Sequence, residues 1–253
     1  MIIEKLLRKI AGRFGYNAEI RKKGVIPIPS DFESLHTGIY SQCKPYTMTS
    51  PERIYSVIEA IKYIERKKIE GCVVECGVWK GGSMMAAALT LQHLNTVKRD
   101  LYLFDTFEGM PPAGNVDENY SGEKANKILE KESNEKFTSV NWAYSTIDEV
   151  KNNIYSTGYP VNRIHLIKGK VENTITTDFR KPIALLRLDT DWYESTNHEM
   201  EYLFPLLQPG GVLIIDDYGF WKGARKAIDE YLVKNQLNYF LHRIDNTGRM
   251  IIK

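Results

Sequence analysis

Two acidic stretches, RLDTDWYEST from Arg187 and IIDDYG from Ile214, carry the strongest chemical signal in the chain. Asp189 closes one apolar run, and Asp216 and Asp217 close another 27 residues later. Three carboxylates brought to one point repel one another unless a hard cation neutralises them. An all-oxygen donor set favours Mg²⁺, with Mn²⁺ or Ca²⁺ as substitutes. Asp191, two residues beyond Asp189, reaches the same point without having to ligate, which suits a general base. His165 and His198 are alternative bases, although strand and helix-surface histidines more often serve structure.

A second group of residues lies upstream. ECGVWKGGS, Glu75 to Ser83, follows an apolar run, and Gly77 and Gly81 let the backbone pass close to a ligand at the start of a helix. Neither the dinucleotide pattern GxGxxG nor the P-loop GxxxxGK[ST] is present, so a ligand with an amino-acid or sulfonium end fits better than a pyrophosphate. LFDTFEGMPP places Asp105 at the end of the next apolar run, 28 residues after Gly77. An acid there accepts hydrogen bonds from both ribose hydroxyls of an adenosine, the competing role being a loop cap.

These residues need a scaffold that gathers strand ends. CVVEC, LYLFD, RIHLIKG, IALLRLD and GGVLIIDD read as strands alternating with helical segments, and YFLHRID with RMIIK forms a terminal hairpin around Asn246-Thr247-Gly248. The expected fold is α/β: a doubly wound, mostly parallel seven-stranded sheet with a C-terminal antiparallel hairpin and an N-terminal helical extension. In such sheets ligands bind beyond the carboxyl ends of the strands, where the acids collect. Ser50 and Pro51 open a helix, and residues 51–253 form the expected domain behind an extension at 1–50. Within that extension, a helix and the connection VIPIPSDFE are followed by a less regular segment that ends at Thr49. KILEKESNEKF reads as a solvated helix.

Composition narrows the alternatives. A length of 253 residues suits one core with additions. The 34 basic and 32 acidic residues nearly cancel, which argues against a nucleic-acid-binding surface. Cys43, Cys72 and Cys76 form no CxxC pair, and Cys72 and Cys76 lie two pleats apart on one face of a strand, so reduced thiols and a cytoplasmic protein are expected. No apolar run is long enough for a membrane span. Ile2, Ile3, Leu6, Leu7, Ile10 and Phe14 share one helical face, which makes a homodimer contact plausible.

ECGVWKGGS, LFDTFEGMPP, LLRLDTDWYEST and LQPGGVLIIDDYG, in this order, resemble the bacterial sugar O-methyltransferases typified by macrocin O-methyltransferase. The resemblance spans roughly residues 45 to 253 and implies a Rossmann-like class I methyltransferase. It implies S-adenosylmethionine and a divalent metal, usually Mg²⁺, acting on a glycoside such as a macrolide or aminocoumarin antibiotic. Glu75, Gly77, Gly81 and Ser83 then belong to the cofactor motif, with Ser83 near the methionine end. Asp105, with Thr106 beside it, is the ribose-binding acid. Asp189, Asp216 and Asp217 are the metal ligands, and Asp191 is the base that takes the proton of the hydroxyl to be methylated.

The segments His36 to Met48 and 110–145 are expected to act as lids that select the acceptor, with Tyr40, Tyr46, Trp142 and Tyr144 either stacking on sugar rings or packing within the lids. Three other functions compete. A catechol methyltransferase uses the same chelation chemistry. A glycosyltransferase would read Asp189-Thr190-Asp191 as its DxD motif. A non-catalytic binding protein has no physical reason to keep four mutually repelling carboxylates.

Overall fold

The computed structural model describes residues 9–10, 12–14 and 27–253. The chain divides into two units, Met1–Asp31 and Phe32–Lys253. Most of the N-terminal amphipathic pattern lies outside the described residues; within them Ile10 and Phe14 are exposed.

The second unit begins with helix α1, Ser34–Cys43, a segment whose sequence shows no clear period. Its burial reveals the pattern, because His36, Ile39, Tyr40 and Cys43 line one face. The start is capped by Glu33 and His36 instead of the usual Ser or Thr, which is why the signal is weak. Helix α2, Pro51–Arg66, starts as its sequence predicts: the Ser50 hydroxyl accepts the Arg53 N–H, and Pro51 occupies the first turn.

Strands β1 (Cys72–Cys76), β2 (Leu101–Asp105), β3 (Ile164–Lys168), β4 (Ile183–Leu188) and β5 (Leu207–Ile215) alternate with helices α3 (Gly82–His93), α4 (Ala125–Lys131), α5 (Ile147–Tyr155), α6 (Val171–Thr174) and α7 (Tyr193–Tyr202). Helix α8 (Lys222–Lys234) and the hairpin strands β6 (His242–Arg243) and β7 (Arg249–Ile252) complete the chain. The sheet order is β3-β2-β1-β4-β5-β7-β6. The first five strands run parallel, and β7 joins β5 antiparallel.

Every residue of β1 and β4 is buried, as a sheet covered on both faces requires. Val73, Leu101, Leu103, Leu185, Val212 and Ile214 face the core formed with α2, α3 and α5. Cys72, Val74, Cys76, Phe104, Leu186, Leu188, Leu213 and Ile215 face the opposite core with α7 and α8. The alternation puts Cys72 and Cys76 on one face, and all three cysteines are buried and unpaired. Among the described residues no helix is long and apolar enough to cross a membrane. Because β1, β4 and β5 are neighbours, their carboxyl ends bring Gly77, Asp189 and Asp216-Asp217 to one place.

Candidate active site

Asp189, Asp191 and Asp217 each direct a carboxylate oxygen to one point, all three within 4.8 Å of one another. Asp216, expected beside Asp217, is not in this group. The chain bends just past the end of β5, and there the two neighbours diverge. The Asp216 carboxylate is 3% exposed and accepts hydrogen bonds from Arg187 Nη2 at 2.5 Å and from the Arg53 guanidinium. Arg187 is itself buried, and it also holds Glu75 at 2.6 Å and Asp189 Oδ2 at 2.8 Å. A single guanidinium thus ties β1, β4 and β5 together beneath the site.

Desolvation pushes Asp189 and Asp191 up to about 7. Arg187 opposes the shift at Asp189 and the Asp217 charge adds to it. Asp217 is raised as well, first by burial and then by the Asp191 charge. Its Oδ2 is buried with no hydrogen-bond partner. Three converging oxygens, one lacking any donor, fit a hard divalent cation, which commonly takes one or two carboxylates and leaves its other positions to water and substrate.

The turn after β1 lies directly on the turn after β4. Gly77 has φ +79°, and a Cβ built there would lie 1.9 Å from the Asp189 carbonyl oxygen. The Asp189 N–H donates to the Cys76 carbonyl at 2.8 Å. Asp105 fastens the same turn from the other side. Its Oδ2 accepts from the Val78 and Trp79 amides at 2.6 and 3.2 Å, and its Oδ1 accepts from the Phe107 amide at 2.6 Å. Burial raises its pKa while these amides act against the shift. The loop-capping role is therefore the one seen directly in the hydrogen bonding.

Two clefts open over the strand ends. One is walled by Gly77, Asp105, Thr106, Met110, Lys170, Glu172 and Ser195. The other is walled by Tyr46, Arg53, Ser83, Asn141, Asp217, Phe220 and Trp221. Met48, Val78, Trp79, Ala143, Asp189 and Asp191 belong to both, so the clefts meet at the acidic turn. Chain from both expected lids lines them. A Cβ at Gly82 would lie 2.5 Å from the Tyr46 carbonyl oxygen, a close approach that admits only glycine at the start of α3.

Other expected residues lie elsewhere. Glu75 is 1% exposed, is pushed up to about 8 by burial, and reaches Arg187 instead of a cleft wall. Gly81 is the left-handed N-cap of α3, with φ +90°. Tyr40 is in the core, Trp142 Nε1–H donates to the Leu129 carbonyl, and Tyr144 packs edge-on against Phe137. His165 pairs with Asp100 and stacks on Tyr102, while His198 bonds the Ile175 carbonyl, so neither lines either cleft. Sequence reasoning passed over Arg53 and Arg187. A charged residue inside an otherwise apolar buried strand was the available signal for Arg187, whereas nothing local marks Arg53.

This geometry can be set beside known proteins. The family model described as Macrocin-O-methyltransferase (TylF) matches residues 18–253. The chain belongs to the macrocin O-methyltransferase family. The mycinamicin III 3''-O-methyltransferase of Micromonospora griseorubida is 26% identical over 244 residues, 96% of this chain and 92% of that protein. The 8-demethyl-8-(2,3-dimethoxy-alpha-L-rhamnosyl)-tetracenomycin-C 4'-O-methyltransferase of Streptomyces olivaceus is 28% identical over 207 residues, 80% of this chain and 74% of that protein. The solved O-methyltransferase NovP superposes with a TM-score of 0.71 at 26% identity, covering 82% of each chain. Membership in the macrocin O-methyltransferase family sets aside the DxD glycosyltransferase reading of Asp189-Thr190-Asp191.

Proposed function

We propose that the protein transfers a methyl group from S-adenosylmethionine to a sugar hydroxyl of a glycoside, with a divalent cation, Mg²⁺ by preference, at the acidic turn. The observation that carries the reading is the junction of the two clefts at Asp189 and Asp191. A donor in the cleft bordered by Gly77, Asp105 and Thr106 and an acceptor in the cleft bordered by Tyr46 and Trp221 would meet there. Relatives named for methylating a rhamnosyl tetracenomycin and demethyldecarbamoylnovobiocin support a glycoside as acceptor.

The cofactor supplies an electrophilic methyl group, and the cation supplies positive charge that makes an acceptor hydroxyl more acidic. Asp189 and Asp217 hold the cation. Asp191, the third member of the converging set, accepts the hydroxyl proton. Gly77 and Asp105 shape the turn against which the cofactor lies, while Ser83, expected at the methionine end, lines the cleft assigned to the acceptor. Arg53 and Arg187 hold Asp216 and keep the buried charge balanced. Met48, Trp79 and Ala143 close the junction, orient the reactants and exclude water.

Calorimetric titration of S-adenosylmethionine and S-adenosylhomocysteine, with and without Mg²⁺, tests the reading. Wild type is expected to bind both. Asp105→Ala should lose the cofactor through collapse of the turn, while Asp189→Asn should keep it and lose the response to Mg²⁺. Failure of wild type to bind either molecule would remove the cofactor assignment.

A further inference from the structure

Helix α7 buries a carboxyl group that the proposed chemistry does not use. Glu199 is 0% exposed. An apolar residue at that position would avoid the desolvation of a carboxyl group, which here faces the Cys76 thiol and the Thr190 hydroxyl. The Thr190 hydroxyl donates to Glu199 Oε1 at 2.9 Å. Glu199 Oε2 is buried with no oxygen or nitrogen partner.

Thr190 stands between the two carboxylates that meet at the cleft junction. Asp189 and Asp191 project together into the converging set, while the Thr190 side chain reaches into the fold toward Glu199. The turn carries a backbone cost as well, because Asp191 has φ +67°, a left-handed conformation that a non-glycine residue keeps only where its surroundings hold it. Main-chain bonds restrain the turn at both ends: Asp189 N–H to the Cys76 carbonyl at 2.8 Å, and Trp192 N–H to the Thr190 carbonyl at 2.7 Å. The Thr190 side chain ties the turn to the buried face of α7, beside the Ser195 hydroxyl, which donates to the Thr190 carbonyl at 3.5 Å.

We propose that Glu199 is a positioning residue: by accepting the Thr190 hydroxyl it fixes the turn that carries Asp189, places that carboxylate opposite Asp217 and thereby sets the affinity of the site for a divalent cation. The inference rests on the cation reading given above. It concerns a buried residue of α7 that touches neither reactant. Burial pushes the Glu199 carboxyl well above the usual range, with the Thr190 hydrogen bond acting against that shift. A neutral carboxamide can therefore replace it, since the Gln side-chain oxygen accepts the same bond.

The test uses Mn²⁺ alone as probe, with its affinity measured on the full chain for wild type, Glu199→Gln, Glu199→Leu, Thr190→Val and the Glu199→Leu/Thr190→Val double variant. S-adenosylhomocysteine affinity and urea midpoints are measured on the same samples. Glu199→Gln is expected to bind Mn²⁺ like wild type. Glu199→Leu and Thr190→Val should each weaken Mn²⁺ about 10-fold or more, the scale of losses when a residue supporting a metal ligand is removed. The double variant should be no weaker than either single one, because both remove the same bond. Cofactor-product affinity should hold in both Glu199 variants, and the urea midpoint of Glu199→Gln should match wild type. Unchanged Mn²⁺ affinity in Thr190→Val, or weakening matched by an equal loss in Glu199→Gln, would overturn the positioning role while leaving the cation reading intact. Absence of Mn²⁺ binding in a wild type that binds S-adenosylhomocysteine would overturn both.

Discussion

At the scale of single residues, two positions are constrained by geometry that a substitution cannot relax. Gly77 meets main chain, so a methyl group there collides with the Asp189 carbonyl and must also adopt φ +79°. Gly77→Ala is expected to lose more than about 2 kcal/mol of stability, read from urea denaturation, and to abolish cofactor binding. Arg187 compensates three acids at once. Arg187→Leu leaves Glu75 buried without a partner and Asp216 with Arg53 alone, so a loss of about 3–5 kcal/mol is expected by the same measurement. A loss below about 1 kcal/mol would show that the acids are already neutral in the folded chain. Both residues stand inside quoted sequence motifs, yet only Gly77 announced its role, because a glycine after a strand has few explanations and an arginine has many.

At the scale of elements, the 110–145 segment is joined to the site through Asp117. The N-cap of α7, Trp192, makes no side-chain cap of its own. Asp117 supplies one from a distance: its Oδ1 accepts the Tyr193 N–H at 2.8 Å, and its Oδ2 accepts the Gly114 N–H at 2.7 Å. A Cβ at Gly223 would lie 1.8 Å from Asp117 Oδ1, so the start of α8 is shaped to admit this carboxylate. Asp117→Ala is expected to cost about 1–2 kcal/mol and to speed limited proteolysis within 110–145, with Gly223→Ala producing the same cleavage pattern. Unchanged proteolysis in both variants would detach the segment from α7. The strands and most helices were legible from periodicity and from caps such as Ser50-Pro51. Helix α1 was not, because its cap uses Glu33 and His36 and its buried face mixes His36, Tyr40 and Cys43 with Ile39.

At the scale of the whole molecule, the acids tie stability to pH and to the proposed cation. Asp189 and Asp191 titrate at about 7 in the fold, against about 3.9 in an unfolded chain. Between those values the native state holds more protons than the unfolded one, so stability falls as pH rises from about 4 to about 7, and Glu75, pushed up to about 8, with Asp217, also raised, carries the fall further. Asp245 acts in the opposite sense at low pH. Burial alone would raise it, but the Ser50 hydroxyl and Arg53 outweigh that and hold it at about 2. Its contribution is present above about pH 4 and is lost as pH falls toward 2. In chelator, the urea midpoint should therefore be highest near pH 4 to 5 and decline toward pH 7. Saturating Mg²⁺ should reduce that decline, with a gain that grows with pH. A midpoint at pH 8 indifferent to both chelator and Mg²⁺ would remove the cation from the proposal.

The sequence by itself determined the sheet, the family and the turns at which chemistry concentrates. These depend on local properties: short uninterrupted apolar runs, glycines after strands, and acids at the ends of those runs. It did not determine which carboxylates converge. Asp216 joins Arg53, 163 residues away in the chain, and Glu75 joins Arg187 across 112 residues. Nor did the sequence show that Asp105 clasps the Val78 and Trp79 amides of the neighbouring turn while lining a cleft. Such outcomes depend on where side chains point from neighbouring strands and on which partners the crossovers deliver. They are decided only when β1, β4 and β5 lie side by side.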